Sequence, residues 1–290
     1  MTKIAFTDAA FPPLLKEIPH PPRRLYIEGT LPEPSKICVA IVGTRKATAE
    51  GRRIARQFAE ELSRAGIIIV SGLAMGIDTA AHEGALGGGG HTVAVLPTAL
   101  TDIYPRQNQG LAKKIIEKGG AVLTEYSAGE ESYLGNFIAR NRIVSGLSRA
   151  VVVVEAPVVS GAKATVRFAL DQNREVCVVP GPITHPNYRG SNDLIKEGAH
   201  LVTTADDVLS ILGIEPGRAK ENESKNTLFT DLSVDQKEII RIVRESAHGA
   251  SIEEICLKSR LNPAAAASAA AYLVIRDVLA ESGGRYILRT

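Results

Sequence analysis

The chain has 290 residues, 44% hydrophobic and 23% charged, as in an ordinary soluble globular protein with room for one large and one small domain. Its formal net charge of +2 excludes a protein-wide cationic surface, so any affinity for nucleic acid must come from local clusters. Three scattered cysteines, no signal-like N-terminus and no membrane-length apolar run argue against a disulfide framework and a membrane partner, and favour a cytoplasmic location.

Residues 1–35 are proline-rich, with Pro12-Pro13, Pro19, Pro21-Pro22, Pro32 and Pro34. They read as an irregular arm, with one short strand at 24–28, lying on the surface of the adjoining domain. Over 36–212 the pattern becomes regular. Strands are expected at 37–42, 67–70, 92–96, 121–126, 150–155, 176–179 and 201–203. Helices are expected at 49–65, 77–86, 111–118, 137–147, 161–173 and 206–212, with Gly190-Ser191-Asn192 as a loop capping a further short helix. The strands are continuous apolar runs instead of period-2 alternations, and they alternate with helices. That order specifies an α/β fold: an extended Rossmann-like, doubly wound, mostly parallel sheet covered on both faces. Residues 213–231 lose periodicity and read as a polar linker. Residues 232–290 offer three helices and a Gly283-Gly284 turn, the pattern of a small C-terminal winged-helix domain.

Residues 67–86, IIIVSGLAMGIDTAAHEGAL, organise the large domain. A buried strand runs into Ser71-Gly72, a turn bracketed by Gly76 comes next, and an alanine-rich helix opens. Such a turn lies at the ligand edge of the sheet, where free amides at a helix N-terminus suit an anion. The stretch reads as a phosphate cradle. Asp78 is placed to cap the helix, with His82 on the same face.

A dinucleotide cofactor does not fit, because the loop after the first strand, V-G-T-R-K-A-T, has one glycine where that fingerprint needs three. Ser160-Gly161-Ala162-Lys163 is not a Walker loop, no serine sits in a nucleophile elbow, and no His/Cys set has metal-ligand spacing. The expectation is therefore no catalytic residue, no metal, no cofactor and no enzyme activity. What the chain does carry are cations beside turns. Arg45 and Lys46 follow the first strand at Gly43-Thr44, where two cations oppose the helix dipole unless an anion binds. In Asn136-Phe137-Ile138-Ala139-Arg140-Asn141-Arg142, two arginines beside an aromatic suit phosphate pairing and base stacking, although Phe137 also reads as core. Lys163 could widen the basic floor.

At these residues the chain resembles the DprA/Smf family of DNA-processing proteins. The resemblance covers 11–212 through PPLLKEI, VGTRKAT, SGLAMGIDTAAHEGAL, AVLP, YP, RNRIVSGLSRAVVVVEA, VVPGPI and RGSNDLIKEGA. It implies a homodimer that binds single-stranded DNA and loads the RecA recombinase in natural transformation. It also implies that Gly43, Thr44, Arg45, Lys46, Ser71, Gly72, Gly76, Asn136, Arg140 and Arg142 line the DNA pocket; these residues and Lys163 are expected to bind phosphate, and Phe137 to stack on a base. The chain departs from the pattern at Thr44, at Ile138-Ala139 and at Ala162-Lys163, and it lacks the N-terminal helical domain of many relatives. In the recognition helix of the winged-helix domain, residues 263–272 are mostly alanine with no Arg, Lys, Asn or Gln to meet base edges, which suits protein contact better than base readout. Two alternatives stand beside this reading: a nucleotide-processing enzyme resembling the Lonely-guy phosphoribohydrolases, whose P-G-G-x-G-T-x-x-E signature is absent, and a winged-helix transcription regulator.

Overall fold

A computed structural model describes residues 1–215, 233–246, 249–259, 261–275 and 278–288. The chain divides into two compact units, Met1–Pro216 and Gly217–Thr290. The expected linker lies almost entirely outside the described residues.

In the first unit, β1 (Thr2–Ala5), β2 (Arg24–Gly29), β3 (Cys38–Val42), β4 (Ile68–Ser71), β5 (Thr92–Val95), β6 (Ala121–Thr124), β7 (Ala150–Val153), β8 (Glu175–Val178) and β9 (His200–Leu201) form one sheet. Its order is β1-β2-β6-β5-β4-β3-β7-β8-β9. The seven strands from β6 to β9 are parallel; β1 and β2 pair antiparallel at one edge. The proline-rich segment is thus more than a surface arm. It contributes two strands and a short helix, α1 (Pro13–Lys16), and sinks Phe11 and Leu15 into the core.

The parallel strands are apolar throughout because both faces are covered. On β3, Cys38, Ala40 and Val42 face one layer while Val39 and Ile41 face the other. One layer holds α2 (Ala49–Arg64), α3 (Ile77–Gly87) and α8 (Ala205–Ile211). The opposite layer holds α5 (Leu134–Gly146), α6 (Gly161–Asp171) and α7 (Pro186–Lys196). Helix α4 (Gln109–Glu117) packs Ala112 and Ile115 near the β2/β6 edge. Each fully buried valine of β7 contributes about 1.5–3 kcal/mol over an exposed one.

Gly190-Ser191-Asn192 lies inside α7, not in a loop before it. His185 caps that helix and Pro186 starts it. The small residues serve a close approach: a side chain at Gly190 would strike the main-chain oxygens of Ala156 and Pro157, and the Ser191 hydroxyl accepts the Ala156 amide at 2.9 Å.

The second unit has helices Val234–Arg244, Ile252–Ser259 and Pro263–Ile275. A three-stranded antiparallel sheet places Arg285–Leu288 between Ala250–Ser251 and Leu279–Ser282. The Ser282–Arg285 hairpin turns through Gly283 and Gly284, both at positive φ, as a tight two-residue turn requires.

Candidate nucleic-acid interface

From β3 the chain winds outward through β4, β5 and β6, then returns to the other side of β3 as β7. The carboxyl ends of β3 and β7 therefore form a topological switch point, and α2 and α6 leave them for opposite faces of the sheet. A cleft of about 350 Å³ opens there. Three segments form most of its wall: Gly43–Lys46 after β3, one face of α5, and Val159–Ala162 at the start of α6. A larger cavity of about 440 Å³, under the proline-rich segment, is mainly apolar and lies away from these cations.

The α5 face follows from helical periodicity. Phe137, Arg140, Asn141 and Val144 recur at i, i+3, i+4 and i+7, and all four line the cleft. Arg142 is two residues, about 200°, beyond Arg140 and points elsewhere. It forms a 2.7 Å ion pair with Glu125 and donates to the His20 carbonyl, so it is a tie between segments and not part of the cleft wall.

Arg140 is at the cleft but is only 4% exposed. Its guanidinium donates to the Gly72 carbonyl at 2.6 Å and to the Val95 carbonyl. Burial pushes its pKa down to about 10, against the attraction of Asp78. It braces the loop after β4 and does not present an open cation.

That loop also departs from its reading as a phosphate cradle. The Asp78 carboxylate, 7% exposed, accepts the Gly72 amide at 3.1 Å and the Ala74 amide at 3.4 Å. The chain's own anion fills the cradle. Burial raises the Asp78 pKa; the Arg140 charge and the two amides oppose that rise. The Ser71 hydroxyl is buried and donates to the Ile41 carbonyl at 2.7 Å. Gly76 caps α3 at φ 87°, and any side chain there would meet the Thr44 carbonyl. Leu73, buried with φ 56°, is held in the left-handed region with its carbonyl accepting from Asn108 at 2.7 Å. Of these residues, Gly72, Ala74 and Asp78 line the cleft; Ser71 and Gly76 shape the turn behind it.

His82 is fully buried. Thr92 gives its hydroxyl proton to the Ile69 carbonyl, so His82 donates from Nδ1 to Thr92 at 2.8 Å, leaving Nε2 as an unpartnered acceptor. Burial, with the Arg140 charge adding, pushes its pKa down to about 3. It is a neutral core group.

The exposed cations are Arg45 and Lys46, both on the cleft wall, with no ion-pair partner among the described residues. Thr44 accepts the Lys46 amide at 3.2 Å, and Gly43 fits under Ile77. The Arg45 guanidinium lies 5.2 Å from the Phe137 ring centre. Tyr104, 49% exposed, meets Phe137 edge-on at 5.3 Å. Tyr104 and the loop at Val159 are contributions that residue-by-residue reading misses; the Tyr-Pro pair is the available signal. Asn136 and Lys163 are not on the wall. Both are neighbours of wall residues on their helices, one position off the facing stripe.

The arrangement can hold a phosphate by side-chain cations and a planar base against an aromatic ring; the space beside Gly72 is taken by the Arg140 guanidinium and the Asp78 carboxylate. Among the described residues no group of three or more His, Cys, Asp or Glu could hold a metal, and no helix is long and apolar enough to cross a membrane.

The family model for DNA recombination-mediator protein A matches residues 2–213. Protein Smf of Escherichia coli is 43% identical over 202 residues, which is 70% of this chain and 54% of that protein. The chain thus spans little more than half the length of that relative. The X-ray structure of DNA processing protein A from Streptococcus pneumoniae superposes with a TM-score of 0.68 at 40% identity, covering 72% of this chain and 73% of that one. A Helicobacter pylori DNA processing protein A structure, described by its single-stranded DNA binding mode, gives a TM-score of 0.64 at 29% identity, covering 73% of this chain and 96% of that one.

Proposed function

The chain belongs to the DNA recombination-mediator protein A family, and from that premise we propose that its first unit binds single-stranded DNA at the switch-point cleft. One observation carries the reading: the exposed cations Arg45 and Lys46, without an ion-pair partner among the described residues, share the cleft wall with Phe137, whose ring Arg45 approaches to 5.2 Å and Tyr104 backs. Side-chain cations beside an aromatic platform suit a strand whose phosphates and unstacked bases are both accessible. A duplex keeps its bases stacked and offers the platform nothing. The single-stranded DNA binding of the Helicobacter pylori relative supports the assignment.

Phosphates meet Arg45 and Lys46, on the turn that starts at Gly43-Thr44, and a base meets Phe137. Catalytic turnover forms no part of this role. Homodimer formation and loading of RecA, both implied by the family resemblance, belong to the same proposal. Residues 232–290 act as a winged-helix accessory module, supported by the outward alanines of Pro263–Ile275.

Fluorescence anisotropy with a labelled oligonucleotide tests this. Single strands are expected to bind more tightly than duplex, with affinity falling steeply as salt rises because bound phosphates release counterions. Equal affinity for duplex, or affinity insensitive to salt, would remove the reading.

A further inference from the structure

Glu155, two residues beyond β7, is fully buried yet carries a carboxylate. It does not line the cleft, but it holds the loop that does. One carboxylate oxygen accepts the Thr48 amide at 3.0 Å and the Asn187 side-chain amide at 3.0 Å; the other accepts the Thr48 hydroxyl. Its main-chain oxygen accepts the Thr44 amide at 2.7 Å. Asn187, in the first turn of α7, also donates to the Lys46 carbonyl at 3.0 Å. Both ends and the middle of the cation-bearing loop are thereby tied to one residue pair.

A buried carboxylate is costly unless its lone pairs are satisfied, and here they are met by donors from two separate segments. The group sits at the N-terminus of α2, whose dipole favours a negative charge there. The helix makes room for it: a side chain at Gly51 would collide with the carboxylate. Glycine is a weaker helix former than alanine, so this first-turn position exchanges helix propensity for the contact.

We propose that Glu155, with Asn187, is the positioning element of the nucleic-acid loop, latching residues 44–48 to α7 so that Arg45 and Lys46 face the cleft. The latch acts through the two cations and touches no DNA itself. Its effect on binding rests on the cleft being a single-strand site.

Two readouts on the full chain separate the ideas: hydrogen exchange at the Thr44 and Thr48 amides, and the salt dependence of single-strand affinity. Glu155→Gln puts an amide donor against donors that need an acceptor. Asn187→Ala, at a half-buried site, keeps the test alive should the first variant not fold. In either folded variant, exchange at the two amides is expected to quicken at least about tenfold, an increase equivalent to about 1.4 kcal/mol of lost local stability. The slope of log affinity against log salt is expected to become shallower by about 0.7, the value of one phosphate contact on a single strand. Unchanged exchange in folded Asn187→Ala overturns the latch, and faster exchange with an unchanged slope overturns its positioning role. Faster exchange in a variant of a chain that binds no single strand at all supports the latch and removes the nucleic-acid reading instead.

Discussion

Two turns meet at the switch point, residues 43–48 before α2 and residues 72–76 before α3, and they solve the same electrostatic problem differently. Each precedes a helix N-terminus, where exposed amides favour an anion. Each receives a carboxylate from the chain itself, Glu155 in the first and Asp78 in the second. In the second, that carboxylate takes the Gly72 and Ala74 amides and is balanced by buried Arg140, so the charge closes on itself. In the first, Glu155 fixes the loop from behind and leaves Arg45 and Lys46 outward. A glycine-rich turn before a helix is thus not by itself an anion site; what matters is whether the chain has already supplied the anion.

The contrast is open to attack at several points. The largest effect is expected at the closed turn. Asp78→Ala leaves the Gly72 and Ala74 amides without their acceptor and removes the carboxylate charge near buried Arg140, and should cost about 1–3 kcal/mol for each amide left unsatisfied, read in urea unfolding. A total loss below about 1 kcal/mol would mean that water already reaches those amides and the turn is open after all. At the open turn, Phe137→Ala should weaken single-strand binding by about 1–3 kcal/mol, the range for one base–aromatic stack. Anisotropy with duplex as control measures it, and an equal loss on duplex would argue against stacking.

The core beneath the closed turn also sets a pH signature. His82 has its folded pKa depressed to about 3, against an ordinary value of 6.5. Below pH 6.5 the unfolded chain therefore binds a proton that the folded chain does not. This group's stabilising effect is complete above about pH 6.5 and is lost as pH falls toward 3, at about 1.4 kcal/mol per pH unit. His82→Gln should remove that slope from the pH dependence of unfolding; an unaltered slope would show that the ring is solvated. The smallest effect on binding is expected from Arg142→Ala. It removes a two-pronged, mostly buried pair with Glu125 and should lower stability by about 1–3 kcal/mol, yet leave single-strand affinity within about twofold.

The sheet is legible in the sequence because its strands are buried on both faces and so read as unbroken apolar runs. The β1 strand is not: only Ile4 of its four residues is buried, and an edge strand leaves little periodicity to detect. The start of α7 is hidden by its prolines, which read as a loop until Pro186 is recognised as a first helical residue. In the site, Arg45 and Lys46 are visible because cations at a helix start need a reason. Arg140 and Arg142 read as a pair from proximity in sequence, yet a helix separates i and i+2 by more than half a turn. The fate of the 72–76 amides is not readable, since Asp78 could cap its own helix or reach back to the turn. Only the positive φ of Leu73 and Gly76 brings its carboxylate back to Gly72 and Ala74.

The most direct measurement is the salt dependence of single-strand binding in the unsubstituted chain and in the Arg45→Ala/Lys46→Ala double variant. If side-chain cations of the open turn hold the phosphates, the slope of log affinity against log salt should become shallower by about 1.4, two contacts at about 0.7 each on a single strand. An unchanged slope in the folded double variant would place the phosphates elsewhere and return the anion-binding role to the glycine-rich turn at residues 72–76.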